Sequence, residues 1–316
     1  MSRYFLYALP AVLGGNFFNN FLDMKHIIFI FLIFLLTACN SLTSTQTIES
    51  IKPTDSISTQ TLNNVQPTAT SSYTTPPNST WHIQYTGEIN TNLDVAIYNL
   101  DLFDVDPSII SSMHARNIFV MCYFSAGSFE NWKPDAKDFP IEVLGLRLVG
   151  WEGEQWLDIR QIDTLTPIME ARLNLAVEKD CDGVDPDNIN GYTNETGFPL
   201  THDDQLAYNI WLANAAHMRG LSIGLKNDIE QIPDLIAYFD WQLNEECFSY
   251  GECHLLLPFI EAGKPVFQIE YDLPTTEFCE QAKMFGFQSI RKNWELDEFS
   301  EPCNQPLKKQ SIESNH

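Results

Sequence analysis

Carboxylates gather where the short β-rich runs of this sequence end. The run over 183–187 closes as Asp185-Pro186-Asp187-Asn188, and the run over 241–244 leads into Glu245-Glu246. The run over 221–225 is followed by Lys226-Asn227-Asp228, and that over 156–159 carries Asp158 and is followed by Arg160. Asp101 follows 95–100, Glu270-Tyr271 follows 266–269, and Tyr123 and Ser125 close 118–124. A single carboxylate at a strand end is more often a helix N-cap or a solvated loop residue. Six ends carrying charged groups are harder to explain that way. Asp185 and Asp187 share strand parity, so both can point the same way. Glycoside hydrolysis needs two carboxyls about one bond, one protonated and one ionised. Crowded carboxylates can raise one pKa and supply that asymmetry. The candidate substrate contacts are Asp101, Tyr123, Asp158, Asp185, Asn188, Lys226, Asp228, Glu270 and Tyr271, a set suited to a polyhydroxylated ligand.

Other chemistries lack their signatures. There is no G-x-S-x-G elbow, and Ser125-Ala126-Gly127 reads as a tight structural loop. The seven histidines are scattered with no H-E-x-x-H. No metal site is expected, although carboxylate ligation of calcium or magnesium stays open. No glycine-rich fingerprint follows a strand, which excludes a dinucleotide-binding domain.

Strands must therefore bring these ends together. Nine β-rich runs are predicted, over 81–85, 95–100, 118–124, 156–159, 183–187, 221–225, 241–244, 266–269 and 287–290. Helical patterns separate several of them. Thr166-Pro167 opens one, with Met169, Leu173, Ala176 and Val177 on one face. Thr201 to Asp204 opens another with a capping-box pattern; Leu206, Ile210, Ala213 and His217 follow, and Gly220 stops it. A third runs over 276–285 before Gly286. This alternation predicts an α/β fold, a (β/α)₈ TIM-type barrel over 80–304, with its site at the strands' C-terminal ends. One of nine strands is then accessory, expected near Trp81 or Phe287.

The net charge of −24, from 42 acidic and 18 basic residues, argues against nucleic acid. It fits a cationic or neutral partner, or solubility alone. Met24-Lys25-His26, an apolar run over 27–36 and Leu36-Thr37-Ala38-Cys39 describe a secretory signal with a lipobox, Cys39 being the lipidated residue. The alternative is a chance Cys after an ordinary signal. The apolar run is too short for a comfortable span of about 20 residues. Met24 is the expected start, with 1–23 an upstream extension. Residues 40–79 read as a disordered Ser/Thr-rich tether and 305–316 as a disordered tail. Six further cysteines fall in an oxidising compartment. Local spacing pairs Cys247 with Cys253 and Cys279 with Cys303, leaving Cys122 with Cys181. Zinc ligation ranks below this, for want of a C-x₂₋₄-C element.

Several stretches together resemble glycoside hydrolase family 114, the endo-α-1,4-polygalactosaminidases. They are Cys122-Tyr-Phe-Ser-Ala-Gly-Ser128, Gly150-Trp-Glu-Gly-Glu-Gln-Trp-Leu-Asp-Ile-Arg160, Gly183-Val-Asp-Pro-Asp-Asn188, Gly224-Leu-Lys-Asn-Asp228 and Asn244-Glu-Glu-Cys247. The resemblance implies a TIM-type barrel that cleaves α-1,4-linked galactosamine chains by endo-hydrolysis, without a cofactor. Carried over residue by residue, it makes Asp187 and Glu245 the catalytic carboxylates, with Asp187 read as nucleophile and Glu245 as acid/base. Asp185 and Glu246 stand where the family commonly has Glu and Gln. Strand parity puts 245 and 246 on opposite faces, so one of them faces the mouth. The expected partner is an amino-sugar polymer, cationic when deacetylated, for which Asp101, Asp158, Asp185, Asp228 and Glu270 would form an acidic mouth. The expected protein is a monomer, held at the bacterial cell envelope, on the outer membrane or cell surface, through its lipid alone. The competing functions are hydrolysis of a neutral or N-acetylated polysaccharide and glycan binding without cleavage by an envelope lipoprotein. A solute-binding lipoprotein would need two lobes, which this strand order does not provide.

Overall fold

The computed structural model describes residues 79–303. The signal region with Cys39, nearly all of the tether and the 305–316 tail lie outside the described residues. Among the described residues, eight parallel strands form one curled sheet. They are β1 (Trp81–Gln84), β2 (Ile97–Asp101), β3 (Phe119–Ser125), β7 (Gly183–Asp187), β8 (Ser222–Lys226), β9 (Trp241–Glu245), β10 (Val266–Glu270) and β11 (Gln288–Arg291). A short antiparallel strand, β12 (Glu301–Pro302), pairs with β11. Strands β1 and β11 are not paired; Trp81 Nε1 donates to the Gln288 carbonyl (2.8 Å), and just beyond β1 the Tyr85 and Thr86 amides donate to the carbonyl of Leu296 in the loop after β11 (2.8 and 3.3 Å). The fold is α/β of the TIM-barrel type.

The strands are apolar on both faces, as a parallel sheet covered on both sides requires. Alternation sorts them. Ile83, Ile97, Met121, Leu243, Phe267 and Ile269 pack inside the curl, with the Trp81 ring 5.2 Å from that of Phe267. Tyr98, Leu100, Val120, Val184, Ile223 and Leu225 pack outward. The helices are α1 (Pro107–His114), α2 (Ile162–Glu178), α3 (His202–His217), α4 (Ile232–Leu235), α5 (Cys247–Tyr250), α6 (Leu257–Glu261) and α7 (Thr275–Phe285). Gly224 earns its place inside: a β-carbon there would sit 2.1 Å from the Trp241 indole nitrogen. That large ring, fully buried, fills the interior across neighbouring strands.

The accessory strand is not where the sequence pattern put it. Both the Trp81 and the Phe287 regions supply barrel strands. The 156–159 run instead belongs to β6 (Glu154–Leu157), which pairs antiparallel with β4 (Ser128–Glu130) and β5 (Leu144–Arg147). Between β3 and β6 the chain forms β4, two short 3₁₀ turns and β5, with no α-helix to make a parallel crossover, so β6 folds back. This three-stranded sheet is an insertion between β3 and β7.

The capping box at Thr201 forms as expected: its hydroxyl accepts from the Asp204 amide, and Asp204 accepts from the Thr201 amide. Gly286 ends α7 in the left-handed region at φ +79°. Helix α2 begins a turn earlier than expected. The Gln161 carbonyl already accepts from Thr164 and Leu165, so Pro167 lies inside the helix, and Val177 is exposed. Disulfides join Cys122–Cys181, Cys247–Cys253 and Cys279–Cys303, with α-carbons 6.0, 4.7 and 5.1 Å apart. All three expected pairings form, within the span a disulfide bridges.

Candidate active site

Three consecutive barrel strands end in the same way. Strand β7 ends on Asp187, β8 on Lys226 and β9 on Glu245. The next residue is left-handed each time: Asn188 (φ 60°), Asn227 (φ 53°) and Glu246 (φ 64°). Asn enters that region more readily than most residues, and the sharp turn leaves the strand's last side chain at the mouth. A close approach braces the first turn. The Ala126 and Gly127 amides both donate to the Asp187 carbonyl, and a β-carbon on Gly127 would lie 1.8 Å from the Asn188 carbonyl oxygen.

Lys226 organises the site. Its ammonium lies 3.2 Å from Asp187 Oδ1 and 3.4 Å from Glu245 Oε2. It is buried, which works against its charge. Asp187, Glu245 and Asp185 outweigh that penalty and raise its pKa well above the ordinary value. Burial likewise opposes ionisation of Glu245. Lys226, the Tyr271 hydroxyl and the Asn227 amide hold its carboxyl below the usual range all the same. Asn227 holds Glu245 twice, since its Oδ1 also accepts from the Glu245 backbone amide (3.0 Å). Asp187 accepts from the Tyr123 hydroxyl at 3.4 Å and from the Asn188 amide at 2.8 Å.

Beneath the pair lies Asp185, fully buried. Its Oδ2 accepts from Asn99 (2.8 Å) and Tyr85 (3.3 Å), while its Oδ1 has no hydrogen-bond partner. Burial pushes this carboxyl up to about 6, against the pull of Lys226 and Asn99. The Tyr85 and Tyr123 rings lie 4.3 Å apart over it, and Tyr271 stacks on Trp294 at 4.1 Å. Burial and nearby carboxylates raise all three tyrosine hydroxyls well above their ordinary pKa, so they act as donors.

Of the expected contacts, Tyr123, Asp185, Lys226 and Tyr271 therefore assemble with Asp187 and Glu245. The others have different work. Glu270 alternates with the inward-facing Ile269 and Tyr271, so it faces outward. There it accepts from the Phe248 amide (2.9 Å) and Ser249 hydroxyl (2.6 Å) at the start of α5. Asp228 turns away on a left-handed residue, is buried against Asn209 of α3 (2.8 Å), and is raised by burial well above the carboxylate range. Asp158 follows an insertion strand rather than a barrel strand and takes both bonds of Arg160 (2.7 and 2.8 Å). Asp101 sits at a barrel strand end, but its carboxylate holds buried Lys133 (2.7 Å) and the Phe103 amide. Asn188 ties the β7 turn to Ser125 and Ser128, at 3.1 Å each. Glu246 is buried beside Glu245 and Glu270, which with burial raise it to about 7. The acidic mouth is thus narrower than expected.

Tyr85, Asn99, Asn227 and Trp294 were not foreseen. Period-two alternation carried from Ile83 reaches Tyr85, and from Ile97 reaches Asn99, so both were within reach of the strand pattern. Asn227 gives no signal beyond its position after Lys226, and Trp294 stands in a loop. Among the described residues, no group of His, Cys, Asp or Glu has metal-ligand geometry.

The comparisons bear on the family and the fold. The model of glycoside-hydrolase family GH114 matches residues 63–308. The crystal structure of Aspergillus fumigatus Ega3 in complex with galactosamine shares 40% identity and a TM-score of 0.71, over 74% of this chain and 99% of that one. The glycoside hydrolase domain of PelA from Pseudomonas aeruginosa shares the fold at 12% identity and a TM-score of 0.57, over 70% of this chain and 97% of that one. No curated protein sequence matches significantly. The chain is a glycoside hydrolase and belongs to family GH114.

Proposed function

We propose that this enzyme hydrolyses α-1,4-linked galactosamine chains at internal bonds, with Asp187 and Glu245 as its two carboxylates. The observation that carries the reading is the shared Lys226 ammonium, which holds both carboxylates at one point of the mouth. The two ammonium distances laid end to end cap the Oδ1–Oε2 separation at about 6.6 Å. A separation of that order between the facing oxygens accommodates retention, for which about 5–5.5 Å between the carboxyls is usual, and lies at the bottom edge of the inverting range, roughly 6.5–9.5 Å. A galactosamine complex of a 40% identical relative supports the sugar, and the net charge of −24 suits a cationic chain.

In the first reading, Asp187 attacks the anomeric carbon while Glu245 protonates the leaving oxygen, then activates water. A second reading exchanges these roles. It is favoured by Lys226, Tyr271 and Asn227, which hold Glu245 ionised in the free site, as an attacking carboxylate requires. Azide rescue separates the readings. With a substrate bearing a good leaving group, the nucleophile's alanine variant yields a sugar azide of inverted configuration, and the acid/base variant one of retained configuration. The substrate is tested by incubating the protein with deacetylated and N-acetylated polygalactosamine. Release of oligosaccharides from the deacetylated polymer is expected; release from neutral polysaccharides alone would refute the amino-sugar assignment.

The sequence supports an exported lipoprotein anchored through Cys39 at the outer membrane or cell surface. Labelling with a palmitate analogue should mark the wild type and not Cys39→Ser; an unlabelled wild type would refute the anchor.

A further inference from the structure

Two of the seven tryptophans, Trp132 and Trp151, are strongly exposed, at 51% and 40%. Both stand on the insertion between β3 and β7, at one end of its small sheet. Strands β4 and β6 are paired there, Glu130 opposite Glu154, and the Asn131 amide bonds the Gly153 carbonyl (3.2 Å). The Trp132 ring lies over Gly153, so close that a β-carbon there would come within 2.9 Å of it. Gly153 in turn is two residues from Trp151. An exposed tryptophan loses a large hydrophobic gain, and two at one sheet end mark a surface meant to be covered.

The same insertion is tied to the mouth at both ends of β4. Ser128 holds Asn188, which follows Asp187, and Lys133 pairs with Asp101 at the end of β2. Trp132 directly precedes Lys133, so the exposed aromatic surface stands one residue from a side chain anchored at the C-terminal end of β2. Indole faces suit an amino-sugar chain in two ways: they cover apolar sugar faces, and they attract ammonium groups. The exposed charges nearby, Asp138, Glu142 and Glu152 against Lys137 and Arg147, lack the basic surplus that an anionic bilayer attracts.

We propose that Trp132 and Trp151 form an outlying subsite for a polycationic amino-sugar chain, binding units beyond the one cleaved. This rests on the proposed substrate. The test compares wild type with the Trp132→Ala/Trp151→Ala double variant on long polygalactosamine and on short oligosaccharides that cannot span from mouth to insertion. KM for the polymer should rise about tenfold, with kcat and all short-substrate constants unchanged. The Trp132→Phe/Trp151→Phe variant should recover most of the loss, and thermal unfolding of all variants should coincide. An unchanged polymer KM would overturn the subsite. Loss of binding to phosphatidylglycerol-containing vesicles with an unchanged polymer KM would overturn it in favour of a bilayer. A wild type that cleaves no amino-sugar polymer would sink the proposed substrate instead. Titrating polygalactosamine against wild type and the alanine variant would then decide the subsite separately, tenfold weaker binding by the variant supporting it and equal binding refuting it.

Discussion

Two sets of carboxylates stand at or next to the strand ends of this barrel with opposite fates. Asp185, Asp187 and Glu245 face inward and share the field of one buried ammonium, Lys226. Asp228 and Glu270 face outward and serve helices: Asp228 is bonded to Asn209 of α3, and Glu270 caps α5. Residue type and distance from the strand end are nearly the same in both sets. Parity and the following turn separate them. One residue of shift along a strand exchanges the mouth for the helix layer. A carboxylate at a barrel strand end is therefore a catalytic candidate only once its face is known.

The contrast breaks most visibly in turnover. Asp187→Asn and Glu245→Gln keep shape while removing the ionisable group. Each should lower kcat on polygalactosamine by at least about 10²-fold, with folding little changed. Steady-state kinetics beside thermal unfolding checks both halves. Near-normal turnover by either variant would move that residue to the structural set.

Lys226→Met removes the cation that unites the inward set. Breaking a buried pair by removing one partner costs about 3–5 kcal/mol, read from denaturant unfolding. Without Lys226 the Glu245 carboxyl rises toward and above its ordinary value. In the wild type its ionised form stabilises the fold above the unfolded pKa, a contribution lost as pH falls through the lowered folded value. The variant should lose that contribution, and the acidic limb of its residual activity should move to higher pH. An unmoved limb would show that Lys226 does not set the ionisation of the pair.

Asp185 gives a prediction of opposite sign. Its folded carboxyl is raised from 3.8 to about 6, so the folded state holds the proton more tightly. Its contribution to stability should be greatest below about pH 4 and fall by roughly 3 kcal/mol as pH rises to about 6. Asp185→Asn should flatten that slope in unfolding curves measured across the window. A slope unchanged by the substitution would assign it to another group.

The outward set should answer weakly. Glu270→Gln disturbs the cap on α5 and should cost about 1 kcal/mol of stability. Its kcat/KM should stay within about twofold of wild type. A hundredfold loss of turnover would contradict its outward placement.

Much of this was legible in the chain. The strand over 183–187 forms over the predicted residues, and its period-two pattern places Asp185 and Asp187 on the same, inner face. The three cysteine pairs followed from spacing and exclusion. Asp228 and Glu270 were misplaced because a strand-end position was read without its face, although Ile269 and Tyr271 already fixed the face of Glu270. The 156–159 run reads as a barrel strand because its local pattern resembles one. Its antiparallel pairing depends on β4 and β5, short strands whose sequences carry little signal. Lys226 was found, but its position between two carboxylates depends on the staggered registers of β7, β8 and β9, which no local pattern encodes.

The central claim is that the inward pair, and no outward carboxylate, performs the chemistry. A fluorinated galactosaminyl donor that forms a long-lived glycosyl-enzyme tests it most directly, with the modified residue located by peptide mass mapping. The adduct should appear on a single carboxylate, Asp187 in the first reading or Glu245 in the second. An adduct on Asp228, Glu270 or Asp158, or release of the inverted anomer with no adduct formed, would contradict the account.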